Sequence, residues 1–261
     1  MHSESTLETI LKRDRAIVVA GLAALSVLSW AYLAYQAWAM RRSMGSGIAM
    51  PHMQGWSPAG LSLVFVMWTV MMVAMMVPSA APMILTFSAV QRRQSGASSP
   101  LAATTTFVLG YLAVWTAYSA AATLVQWGLH SSALLSSRMG HLGPLAGGMV
   151  LLLAGIFQLT PLKHACLRHC RTPLSFLLSD WREGGWGAFA MGLEQGSYCA
   201  GCYWALMPLM FVTGVMNVLW MALLAGFVLI EKVLPGGDWI GRATGLVLGG
   251  WGLWMFASVL V

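Results

Sequence analysis

The chain has 261 residues, of which 58% are hydrophobic and 8% charged, with a formal net charge of +6. An average soluble domain carries roughly 25% charged residues, so the composition excludes a disordered chain, a charged nucleic-acid binder and an ordinary cytosolic enzyme. Several apolar runs exceed the ~18 residues that mark a membrane-spanning helix, and the positive charge then reports orientation and contact with anionic lipid, not a nucleic-acid surface.

Residues 1–15 read as a polar, charged cytoplasmic segment. They lack the small-residue cleavage site of a signal peptide, and the apolar run behind them is too long for a signal core. Residues 16–261 read as a single transmembrane helical domain. Its expected spans are Ala16–Met40, Gly60–Val90, Leu101–Leu129, Leu142–Leu162, Gly187–Phe211, Val215–Val233 and Gly241–Val261. The fold class is therefore all-α, a polytopic bundle of about seven helices; the runs are too long and too unbroken to alternate as strands. Between the fourth and fifth spans, Pro173–Trp186 mixes apolar with charged residues and reads as a short amphipathic helix along the membrane surface.

The connecting segments set an orientation. Lys12, Arg13, Arg15, Arg92, Arg93, Lys163, Arg168, Arg171, Arg182, Lys232 and Arg242 fall on one side, eleven basic residues against Arg41, Arg42 and Arg138 on the other. Basic loops are retained in the cytoplasm, which places the N-terminus inside and the C-terminus outside.

The 19 methionines cluster. The first outer loop holds Met44, Met50, His52 and Met53, and the second span holds Met67, Met71, Met72, Met75, Met76 and Met83. Thioether sulfur is a soft neutral ligand that selects Cu(I) and needs no deprotonation, so it captures metal in acidic surroundings. Met71 and Met75 are four residues apart and share a helix face, as do Met72 and Met76. Such an M-x-x-x-M pair resembles the selectivity element of the Ctr copper transporters over that short element, although methionine also fills gaps in any packed core. Pro78 and Pro82 interrupt the hydrogen-bond ladder nearby, which is tolerated in a membrane only where protein or a cavity accepts the freed carbonyls.

All four cysteines fall between Cys166 and Cys202. Cys166 and Cys170 are four apart, within reach of His164 and His169, with Arg168 and Arg171 beside them. Cys199 and Cys202 form a C-x-x-C pair with Glu194 and Gln195 one or two turns earlier, near mid-depth of the fifth span. Two thiolates suffice for linear Cu(I), and an ionisable group inside a membrane helix is a functional candidate. Small packing cysteines and a structural carboxylate are the alternative. Glu231 and Lys232, at the end of the sixth span, read as an interface anchor or a local ion pair.

Four segments carry a resemblance: the M-M-x-x-M-M-x-P core within Trp68–Met83, C-x-x-x-C-R within Lys163–Arg171, G-L-E-x-G-x-x-C-x-G-C-x-W-x-L over Gly192–Leu206, and Val215–Pro235. Together they resemble DUF family 2182, bacterial integral membrane proteins of unknown function predicted to bind metal. The resemblance implies a bacterial inner (cytoplasmic) membrane, a multi-pass chain and a bound metal. One position departs: Gln195 stands where the family commonly has His.

The leading expectation is a membrane protein that captures, holds or delivers Cu(I), or another soft transition metal, to a metallochaperone or a cuproenzyme under assembly. The metal would pass from Met44, Met50, His52 and Met53 along Met71, Met72, Met75 and Met76 to Cys199, Cys202 and Glu194, and to Cys166, Cys170, His164 and His169 inside. The alternatives are a membrane thiol–disulfide oxidoreductase and a non-catalytic assembly subunit; catalysis is the less expected role, and the partners include the lipid bilayer but no nucleic acid. A periplasm-active reporter fused at Val261 is expected to be active, and a fusion active only in the cytoplasm overturns the orientation.

Overall fold

A computed structural model describes residues 2–45, 57–95, 100–132, 135, 141–234 and 236–260. Ten α-helices run through them: α1 (His2–Gly45), α2 (Pro58–Ser95), α3 (Pro100–Ser131), α4 (Pro144–Leu159), α5 (Pro161–Arg171), α6 (Pro173–Ser179), α7 (Gly184–Tyr203), α8 (Met210–Thr213), α9 (Val218–Val233) and α10 (Gly237–Leu260). A 3-10 turn, Met207–Leu209, precedes α8. Proline opens α4, α5 and α6, where its missing N–H is an orphan donor anyway and its fixed φ suits the first turn.

Among the described residues, three helical stretches are long and apolar enough to cross a membrane: Arg13–Met40, Pro58–Arg93 and Pro100–Ser131, with mean hydropathies of 2.1, 2.2 and 1.5. The pair α4 and α5 makes a fourth if its 65° bend is counted within one broken span. Three to four crossings indicate a multi-pass membrane protein and correct the expectation of seven. Two of the remaining expected spans fail for local reasons. The Gly187–Phe211 stretch is not one helix, because α7 stops at Tyr203 and the chain turns before α8. The sixteen residues of α9 rise only about 24 Å, short of a hydrocarbon core of about 30 Å. The amphipathic surface helix is also shorter than expected: α6 has seven residues, and its Phe176 and Leu177 are buried in the core.

Apolar residues such as Leu28, Leu153, Leu246 and Trp254 point outward, while the interior holds the α2 methionines and rings such as Trp68, Tyr111, Trp115 and Tyr203. That inside-out distribution suits a lipid solvent, which imposes no penalty on exposed leucine.

The 38-residue α2 is the central element, packed against α1, α3, α6 and α9. Both Pro78 and Pro82 lie inside it without ending it. Pro78 cannot bond the carbonyl of Ala74 one turn earlier, and the Trp30 indole of α1 donates to that oxygen at 3.0 Å. The Asp14–Arg92 ion pair ties the start of α1 to the end of α2, so the two helices run antiparallel.

Glycines make the two closest seams. On α3 and α7, a β-carbon at Gly192 would fall on the Phe107 carbonyl, and one at Gly196 would meet Val114 at 2.9 Å. On α4 and α10, a β-carbon at Gly155 would lie 2.8 Å from both Gly245 O and Gly249 N. Small residues let membrane helices approach backbone to backbone, where dispersion supplies the association energy. Gly192→Val is expected to cost about 1–3 kcal/mol by overpacking, whereas Gly128→Ala, with nothing within 4 Å of the added carbon, is expected to be neutral. Thermal unfolding of the two variants in detergent checks this.

Candidate metal centre

Three helix ends meet beside the middle of α2. Cys170 is the penultimate residue of α5, Cys202 of α7 and Lys232 of α9. The last turn of a helix is the negative end of its dipole, so three such ends favour a cation between them. Ser79 and Met76 face this point from halfway along α2, and Tyr111 reaches it from α3.

The sulfurs lie close together. Cys170 Sγ is 3.7 Å from Cys202 Sγ, and all four cysteines are free thiols. The Tyr111 hydroxyl is 3.3 Å from Cys199 Sγ and donates to the Met76 carbonyl at 3.3 Å. Lys232 Nζ donates to Cys199 Sγ at 2.9 Å and to Ser79 Oγ at 3.0 Å, with the Tyr203 ring 5.3 Å away. An ammonium only donates, and sulfur accepts best as thiolate, so this contact suits a Cys199 thiolate. Cys170, Cys199 and Cys202 are buried and Cys166 half-buried. A β-carbon at Gly201 would stand 3.4 Å from Cys166 Sγ, so the glycine makes room for α5 against α7.

Two ligand sulfurs with bonds of about 2.3 Å to one ion lie no more than about 4.6 Å apart, and the Cys170–Cys202 separation fits within that limit. Among the described residues no three His, Cys, Asp or Glu side chains are gathered as ligands for one ion. The donor set is thus a sulfur pair with a third thiol nearby, a low-coordination arrangement that suits Cu(I) better than four-coordinate zinc.

The other residues singled out in the sequence are placed as follows. Glu194 is half-buried and faces Arg182 at 3.5 Å. His169 is exposed, stacked on Tyr198 with centroids 4.6 Å apart. His164 lies 3.5 Å from Asp238. These three are engaged apart from the sulfur pair. Gln195 is buried, with its Oε1 unpartnered. Met71, Met72, Met75 and Met76 are buried in the core along α2. Met44 falls in the last turn of α1, and Met50, His52 and Met53 lie outside the described residues.

Sequence reasoning missed the lysines. Lys163 and Glu231 form an ion pair with both side chains at 0% exposure, where a loop charge at Lys163 and an interface anchor or local ion pair at Glu231 were expected. The rings of Tyr203 and Phe227 flank the Lys163 ammonium at 5.8 and 5.6 Å. The signal was periodicity: Lys163, Leu167 and Cys170 form the buried face of α5, spaced four and three apart. Removing one member of a fully buried pair costs about 3–5 kcal/mol, whereas replacing both with apolar groups is near neutral. Lys163→Met alone is therefore expected to lower the unfolding temperature sharply, and Lys163→Met with Glu231→Leu to recover most of the loss. A single variant as stable as the parent protein would show that the pair is not buried.

A search of curated proteins and a search of solved structures each returned no match. A scan against family models returned the PpoB2 family, described as copper chaperone, over residues 65–255. That description names copper, the metal expected from the sequence. The matched region begins in α2 and ends in α10, taking in every residue of the sulfur site. With nearly three quarters of its length matched, the chain belongs to the PpoB2 copper chaperone family.

Proposed function

We propose that this copper chaperone carries its cargo as Cu(I) on the buried thiols of Cys170, Cys199 and Cys202, and hands it to a copper enzyme under assembly. The observation that carries the proposal is the Cys170–Cys202 approach of 3.7 Å between two separate helix ends. Packing cysteines have no need to meet in this way, whereas a soft monovalent ion is held by such a pair.

The wider route remains part of the proposal. Cu(I) is captured on the outer side by Met44, Met50, His52 and Met53. It passes Met71, Met72, Met75 and Met76, and reaches the thiols beside Ser79. Cys166 lies next to the site across Gly201 and is the first candidate for onward transfer. Glu194, His164 and His169 stand further out, on the approach. The orientation is that of a bacterial inner-membrane protein with a cytoplasmic N-terminus and a periplasmic C-terminus. Lys163 is buried, and Lys232 is half-buried with its ammonium on Cys199 and Ser79; setting both aside leaves nine of the eleven basic residues of the inner side against three.

The thiol pair also has the separation from which a disulfide forms, which keeps a thiol–disulfide relay as the second reading. Burial weighs against it, because a partner thiolate must reach the sulfur it attacks.

An anaerobic Cu(I) titration of the purified protein decides between these roles. One tightly held Cu(I) per chain is expected, lost in Cys199→Ser and in Cys202→Ser. Stoichiometric copper that survives both substitutions overturns the site, and a mixed disulfide trapped with a partner supports the relay instead.

A further inference from the structure

Lys232 cannot be a metal ligand while it is charged, because an ammonium has three donors and no lone pair to offer. Yet it is the polar side chain most firmly fixed at the site. Its Nζ bonds Cys199 Sγ at 2.9 Å and Ser79 Oγ at 3.0 Å, and the Tyr203 ring lies 5.3 Å away. Its charge is unmatched by any carboxylate there: Glu231, its neighbour in sequence, is taken by Lys163, and that pair cancels. Glu194 is turned to Arg182, and Asp238 to His164 and Arg171.

We propose that Lys232 is a specificity-determining residue, a built-in counter-charge that tunes the three buried thiols to a monovalent ion. The inference rests on the copper reading of the same site. In a buried site of low dielectric, net charge is costly. The Cys170–Cys202 hydrogen bond keeps one proton on that pair, so with Cys199 the three sulfurs carry two negative charges; the ammonium reduces these to one, which Cu(I) neutralises. Zinc or another divalent ion would leave the same site positive. Loss of that remaining proton would restore balance for a divalent ion, but among the described residues no three His, Cys, Asp or Glu side chains are gathered to hold one. Charge and ligand number therefore act in the same direction. The three helix C-terminal ends favour any cation; Lys232 sets how much positive charge can join it.

The test is a pair of metal titrations, Cu(I) under anaerobic conditions and Zn(II), on the full chain in detergent. The parent protein, Lys232→Met, Lys232→Arg and Cys199→Ser are compared. Lys232→Met is expected to lower the ratio of Cu(I) to Zn(II) affinity by at least about tenfold, the effect of one uncompensated charge in a buried site. Lys232→Arg, which keeps the charge, is expected to retain most of the parent ratio. Lys232→Gln replaces the Met variant if the latter does not fold, with the same expected outcome. An unchanged ratio in the neutral variant overturns the counter-charge role, and so does an equal loss of preference in the Met and Arg variants. In both cases copper lost by Cys199→Ser leaves the thiol site itself standing. Parent-like copper binding by Cys199→Ser instead removes the site and the inference with it.

Discussion

Two lysine ammonium groups lie inside this bundle, and each must find an acceptor there. A charged group in the apolar interior of a membrane protein persists only when it is paired or lines a polar site. Lys163 is paired with Glu231, and Lys232 with the sulfur of Cys199 and the hydroxyl of Ser79. These two requirements fix the local architecture. They hold the end of α9 against α5 on one side and against α7 and α2 on the other. The thiols of Cys170 and Cys202 approach each other because the helices that carry them are drawn to the same two cations. Separating the helix ends would expose an unmatched charge, so the sulfur site and the lysine pairing form one structural unit.

The rest of the bundle supplies the frame. Ser79 and Met76 can face the sulfurs because α2 continues through Pro78, and it continues because Trp30 of α1 takes the carbonyl that the proline leaves free. Tyr111 can reach Cys199 because Gly192 and Gly196 let α7 lie directly on the backbone of α3. Beyond the site, the chain leaves α7 through a turn whose Trp204 carbonyl accepts from Tyr118 of α3 at 3.0 Å. The site is thus built from three short helices that stop beside the midpoints of two long ones. A helix that ends within a membrane must bury its free carbonyls in protein, and ends gathered around cations meet that need.

The same short helices explain which features were legible in the sequence. The burial of Met71, Met72, Met75 and Met76 follows from their spacing, and the meeting of the two cysteine pairs follows once α5 and α7 pack together. Hydropathy alone could not give the span count, because a window average sees an apolar run and misses the turn at Trp204 or the bend at Pro161. Glu194 looked central because it is the one acidic residue in the expected fifth span. Its helix face turns it to Arg182 at the rim, and a residue's face depends on where the partner helices lie. Lys163 and Lys232 were misread for the converse reason. Charge at the end of an apolar run ordinarily marks the interface, and only the buried periodicity of α5 distinguished Lys163 from Arg168 and Arg171.

A copper chaperone has to release what it binds, and the arrangement of donors bears on that. A tetrahedral cage of four thiolates would hold a metal as a structural element and leave no position for an incoming ligand. Two sulfurs at a helix junction leave coordination positions open, so an acceptor's ligand can bind before the donor's sulfurs depart. Exchange of this kind proceeds by successive replacement and does not require a free ion in the membrane. The neighbouring thiol of Cys166, half-buried at the edge of the same junction, offers a step from the enclosed pair toward the surface. On the proposed reading, retention and transfer fall to different groups: the buried thiols and their counter-charge set affinity, and the more accessible sulfur sets the direction of departure.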